Sequence, residues 1–108
     1  MDSERLSGVD HVNTFLRGQN LEQVGRVDEA IGLYETSVTG GFDSPGPYDR
    51  LIQIYADRAE HASVIRVAEA ALAQVKTYEA KLGWYRQMRD AAARAAENVP
   101  SAAPKRSE

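Results

Sequence analysis

Cysteine is absent from the 108-residue chain. That excludes disulfides, thiolate-ligated zinc and thiol catalysis, and it fits a cytoplasmic setting. Histidine is scarce. His11 and His61 are far apart, and neither has a second histidine or carboxylate at metal-ligand spacing. No apolar run approaches the roughly 20 residues of a membrane span, and Met1-Asp2-Ser3-Glu4-Arg5 is not the basic start of a signal peptide. Positive charge is in deficit: a formal net charge of −3 speaks against nucleic-acid binding, which depends on clustered Lys and Arg. Gly40-Gly41 has no preceding strand and no Gly-Lys-Ser/Thr after it, so it is no phosphate loop. Ser37 and Ser63 lack an activating base at recognisable spacing, and Glu4, Asp28 and Glu29 have no matched acid in an evident pocket. No catalysis, cofactor or metal is expected.

What is present is amphipathic helix. Apolar residues make up 43% of the chain, ordinary for a folded protein, and this length holds one core. The clearest stretch is Tyr48 to Leu72. There Tyr48, Leu51, Ile52 and Tyr55 form one buried stripe at three- and four-residue spacing. Val64, Val67, Ala68, Ala71 and Val75 form a second, with Glu60-His61-Ala62-Ser63 as an antiparallel turn between them. Upstream, Asp10 is the expected N-cap of a helix over His11–Val24, with Val12, Phe15, Leu16, Leu21 and Val24 apolar and Gly18 in its middle. After a turn at Gly25-Arg26, Asp28 is expected to cap a helix over Glu29–Thr39 that buries Ala30, Ile31, Tyr34 and Val38. Gly40-Gly41 ends it. Phe42 to Pro47 is a rigid loop, with Ser44 or Gly46 capping the third helix and a proline in its first turn. A fifth helix is expected over Ala80–Asn98, burying Leu82, Tyr85, Met88, Ala92, Ala95 and Val99. Residues 1–9 read as a flexible start and 99–108 as a disordered tail.

The first two helix pairs superpose at an offset of about 34 residues: Leu21 falls on Tyr55, Ala30 on Val64, Tyr34 on Ala68 and Ser37 on Ala71. Applied again, the offset sets Leu51 on Tyr85 and Gln53 on Gln87. Gly25-Arg-Val-Asp-Glu-Ala-Ile-Gly-Leu-Tyr34, with Gly18 and Leu21 before it and Tyr48, Leu51 and Tyr55 after it, resembles the tetratricopeptide repeat family. The resemblance implies an all-α fold of about five helices in antiparallel hairpins forming a short right-handed superhelix. Its repeats would span about 11–44 and 45–78, with a closing helix at about 79–98. The pattern departs from the family at Phe42, where proline usually ends a repeat, and at Ile52, His61 and Val64. A generic helical bundle is the rival architecture.

A stack of such hairpins curves, and the first helix of each repeat lines its concave side. The expected partner-binding groove comprises Phe15, Gln19 and Gln23 with neighbouring Glu22, then Arg50, Gln53 and Asp57, then Trp84 and Gln87. Gln19, Gln53 and Gln87 recur at the repeat interval as a ladder of amides suited to the main chain of an extended peptide; alternatively they are ordinary surface glutamines with good helix propensity. Arg50 and Asp57 either face a ligand or pair with each other, and Trp84 is either an interface anchor or a cap on the core. Phe15 and Asp49 stand where the family's carboxylate-clamp lysine and asparagine would be sought, so that clamp is not expected. The function expected is a cytoplasmic adaptor binding a peptide or helix of another protein. The alternative is a homodimer or other self-association through the Ala-rich face Ala91-Ala92-Ala93 and Ala95-Ala96.

Overall fold

A computed structural model describes residues 10–76 and 79–98. The flexible start at 1–9, the buried Val99 and the tail at 99–108 expected from the sequence lie outside the described residues. The described residues are all-α and form five helices: α1 His11–Gln23, α2 Val27–Thr39, α3 Pro45–Asp57, α4 His61–Gln74 and α5 Glu79–Glu97. Each packs against its neighbours in the chain, and α2 also meets α4 while α3 meets α5.

The period seen in the sequence is present in the backbone. Helices α1, α3 and α5 begin at His11, Pro45 and Glu79, and α2 and α4 at Val27 and His61, so every step equals the sequence offset. The turns after α1 and α3 share one hydrogen-bond pattern. Arg26 N–H donates to the Leu21 carbonyl at 2.8 Å, and Glu60 N–H to that of Tyr55 at 2.9 Å. In both, the residue between helix and next helix is left-handed: Gly25 at φ +86° and, one repeat on, Ala59 at φ +58°. This is the Schellman closure, which favours glycine because a Cβ crowds the following carbonyl. The same closure ends α2, with Gly41 at φ +72° and Phe42 N–H bonded to the Ser37 carbonyl at 3.1 Å.

Asp10 caps α1 as expected, its Oδ1 accepting from Asn13 N–H at 3.1 Å. Three boundaries differ from the reading. Helix α2 begins at Val27 with Arg26 as N-cap, so Asp28 lies in its first turn, where its carboxylate pairs with Arg58 at 3.0 Å. Helix α3 has Ser44, one of the two expected caps, as its N-cap in extended conformation and a proline in its first turn as expected; it begins at Pro45, so the rigid loop is shorter than Phe42 to Pro47. Helix α4 begins at His61, and the turn is Arg58–Glu60.

The core lies between α2, α3, α4 and α5. Tyr48, Leu51, Ile52, Val64, Val67, Ala68, Ala71, Val75 and Tyr85 are buried, and so is Ile54, beyond the predicted stripe. In α1 the expected stripe is largely outside: Val12, Leu16 and Val24 are 55%, 48% and 69% exposed. Among the described residues it packs chiefly against α2, and contact is concentrated at Gly18, its one buried residue. A Cβ there would meet Tyr34 Cε1 at 2.5 Å. The helix thus lies down on a buried ring, and that approach offsets the roughly 1 kcal/mol penalty of mid-helix glycine.

Candidate functional site

Three buried tyrosines tie the stack together by one device. Each donates its hydroxyl hydrogen to a carboxylate, and the carboxylate holds a cation on another helix. Tyr34 of α2 donates to Glu22 Oε1 at 2.7 Å, and Glu22 of α1 binds Arg50 of α3 through two bonds, from Nε at 2.9 Å and Nη2 at 2.6 Å. Tyr55 of α3 donates to Glu35 Oε2 at 2.5 Å, and Arg66 of α4 donates to both Glu35 oxygens. Tyr85 of α5 donates to Asp49 Oδ1 at 2.9 Å, and Lys81 Nζ lies 2.7 Å from Asp49 Oδ2. Doubly donated guanidinium–carboxylate pairs are charge-assisted and directional. The hydrogen bond from Arg50 is the largest influence holding the Glu22 carboxyl below the usual 4.5. At Glu35 burial pushes upward most, but the bonds from Arg66 and Tyr55 together outweigh it. All three hydroxyls are pushed up, chiefly by burial and then by the adjoining carboxylate, Tyr55 to about 12.

The first triad forms the wall of an open cleft of about 300 Å³ between α1 and α3, lined by Gln19, Glu22, Gln23 and Arg50. Of the predicted groove residues, then, Gln19, Gln23 and Arg50 are brought together here. Arg50 pairs with Glu22, on a different helix, and not with Asp57. Phe15 is half-buried, its ring centroid 5.7 Å from that of Tyr34, and it fills the space over Gly46. Gln53, Asp57 and Gln87 are exposed and do not line this cleft. Trp84 is half-buried, tilted against Tyr85 at 5.5 Å, with Lys81 Nζ 4.6 Å from its ring centroid. It packs against the core and keeps part of its ring outside.

Sequence reasoning misses Asp49 and Lys81 as members of the surface network. The repeat offset does not mark them, since one repeat on from Glu22 and Arg50 stand Ala56 and Trp84. They lie on α3 and α5, the related helices on which a carboxylate and a cation meet across one seam, as Glu22 and Arg50 do across the preceding one. Among the described residues no helix is long and apolar enough to cross a membrane. The described side chains offer no group of three potential metal ligands. Comparison with protein-family models, with curated proteins and with solved structures yields no match.

Proposed function

We propose that the chain is a tetratricopeptide-like adaptor, acting in the cytoplasm without catalysis, whose α1, α3 and α5 present a concave face to a peptide or helix of a partner protein. The observation that carries the reading is the constant spacing of these helix starts, which equals the repeat length of that family, about 34 residues. Supporting it, Gln19, Gln53 and Gln87 occupy the same register on the three helices and are half-buried or exposed. Glutamine amides offer both donor and acceptor to a main chain laid across them.

The test is capture from native cytosol on two baits, wild type and a Gln19→Ala, Gln53→Ala, Gln87→Ala variant, after circular dichroism shows equal helix content. A partner retained by wild type and lost by the variant supports the reading. Identical capture, together with a mass that doubles with concentration, refutes it in favour of self-association through α5.

A further inference from the structure

The two inter-repeat seams are built differently, and the difference leaves a hole. At the seam of α2 and α3, Arg58 reaches Asp28 at 3.0 Å and covers the junction. Moving one repeat along from the residues around that seam gives alanine each time: Asp28 becomes Ala62, Asp57 becomes Ala91, Arg58 becomes Ala92 and His61 becomes Ala95. Helix α5 also runs on to Glu97, past the point at which α3 had already turned, so its alanines form a straight wall opposite the start of α4. The result is an apolar pocket of about 180 Å³ walled by Ala56, Val64, Met88, Ala92 and Ala95, with His61 and Ala91 completing it. Small-molecule sites are commonly roughly 300–1,000 Å³; this one is sized for a single side chain.

The charge beside it is one-sided. Asp57 adjoins Ala56 and Glu60 adjoins His61; both are exposed, and neither belongs to an ion pair among the described residues. On the α5 wall Asp90 is paired with Arg89, and exposed Arg94 and Glu97, one turn apart and of opposite sign, add no net charge. The uncompensated charge is therefore negative and sits on the α3–α4 side. We propose that this pocket receives a Phe or Leu side chain of a partner segment whose flanking residues are Lys or Arg. An apolar anchor in a dry pocket with a charged rim is the arrangement that concentrates binding energy at few residues, and the acidic rim selects against acidic sequences. The inference rests on the adaptor reading and adds the chemistry of the partner.

The test uses acetyl-Lys-Phe-Lys-amide, acetyl-Glu-Phe-Glu-amide and acetyl-Lys-Ala-Lys-amide as probes, with the full chain labelled at the methionine methyls. Met1 and Met88 are the two methionines, so Met88 reports the pocket directly and Met1 serves as control. The expected result is a saturable shift of the Met88 methyl with the Lys-Phe-Lys probe, and at least tenfold weaker binding of the other two. Ala62→Asp with Ala92→Arg, which transplants the closure of the first seam, should weaken that binding at least tenfold. Ala95→Leu, filling the pocket from the opposite wall, should do the same if the double variant fails to fold. Asp57→Asn with Glu60→Gln should abolish the preference for lysine over glutamate and keep the preference for Phe over Ala. No saturable shift at Met88, equal binding of the acidic probe, or unchanged binding after filling the pocket overturns the proposal. So does a Met88 shift that follows protein concentration without peptide, since a second copy would then be the occupant. A native partner lost by the triple glutamine variant but kept by the filled-pocket variant would leave the adaptor reading standing and remove this one.

Discussion

Raising the pH above 10 should unfold the protein through its tyrosines. Four of the five, Tyr34, Tyr48, Tyr55 and Tyr85, are at most 7% exposed. Burial is the main cause of their raised values, reinforced at Tyr48 by the charge of Asp43 and at the others by the carboxylates they bond. Tyr48 and Tyr55 rise from 10.0 to about 12, and Tyr34 and Tyr85 lie above the usual phenol range by more. A group whose folded value is raised stabilises the fold fully below its unfolded value, and that contribution fades as the pH climbs from the unfolded value through the folded one. Here the window opens at pH 10. Once the unfolded phenol is ionised and the folded one is not, each costs about 1.4 kcal/mol per pH unit. Allowing for partial ionisation near pH 10, four such groups remove about 4 kcal/mol between pH 10 and 11 and about as much again by pH 12. A domain of this size has a total stability of about 5–15 kcal/mol, so unfolding should fall between pH 11 and 12 for a stability up to about 8 kcal/mol and above pH 12 for a larger one.

The assay is absorbance at 295 nm, for phenolate, recorded with circular dichroism at 222 nm along one titration. One tyrosine, Tyr78, lies outside the described residues and sets no expectation. The other four should ionise in a single cooperative step coincident with loss of helix, and Tyr85→Phe should reduce the steepness by about a quarter. Four phenols titrating near pH 10 with the helix signal intact would refute the burial argument. So would a slope that Tyr85→Phe leaves unchanged.

Other perturbations test the close contacts, each by urea denaturation. Gly18→Ala should destabilise by about 1–3 kcal/mol despite better helix propensity, because its Cβ would lie 2.5 Å from the ring of Tyr34. Gly32→Ala is the control: nothing lies within 4 Å of a Cβ there, so propensity alone should stabilise by up to about 1 kcal/mol. Ala59→Gly should stabilise by less than about 1 kcal/mol, relief of the φ +58° conformation being partly offset by the greater freedom of glycine in the unfolded chain. Ser37→Ala should stabilise by about 1–2 kcal/mol, since the Oγ is buried without a hydrogen-bond partner and the related position, Ala71, already carries alanine in the core.

The helices are legible in the sequence because their signals are local. Apolar stripes at helical spacing, Asp10 before α1, Gly25 and Gly41 after α1 and α2, and prolines opening α3 all act within a turn or two of the chain. Composition alone misplaces the turn after α3, since Ala59 is no turn signal; only its repeat relation to Gly25 marks it. The partner of Arg50 is illegible for a different reason. Asp57 is two turns along the same helix, but Glu22 reaches it across the α1–α3 seam, and such a pairing depends on how far one helix slides along another. Phe15 reads as a groove residue because its place on α1 is outward in the repeat pattern. Gly46, with no side chain of its own, leaves the room into which that ring turns. The exposure of Val12, Leu16 and Val24 follows from position in the stack, which a stripe of apolar residues does not encode.

The distribution of charge separates what holds the stack from what remains for recognition. Arg50, Arg66 and Lys81 each spend their charge on a carboxylate of another helix, and each of those carboxylates is also bonded by a tyrosine from the core. A long cation fixed in this way cannot swing out to meet a ligand without leaving a half-buried carboxylate with one partner fewer, which is costly. Removing Arg50 would therefore weaken the contact of α1 with α3 before it reported on any partner, and it is a poor probe of binding. Among the described residues the side chains free of that cost are the exposed amides of Gln23, Gln53 and Gln87, the carboxylates of Asp57 and Glu60, and the exposed cations Arg17, Arg86 and Arg94. On the adaptor reading proposed above, the amides would meet the main chain of a partner, with affinity drawn from apolar anchors such as the ring of Trp84 and whatever fills the alanine-walled pocket.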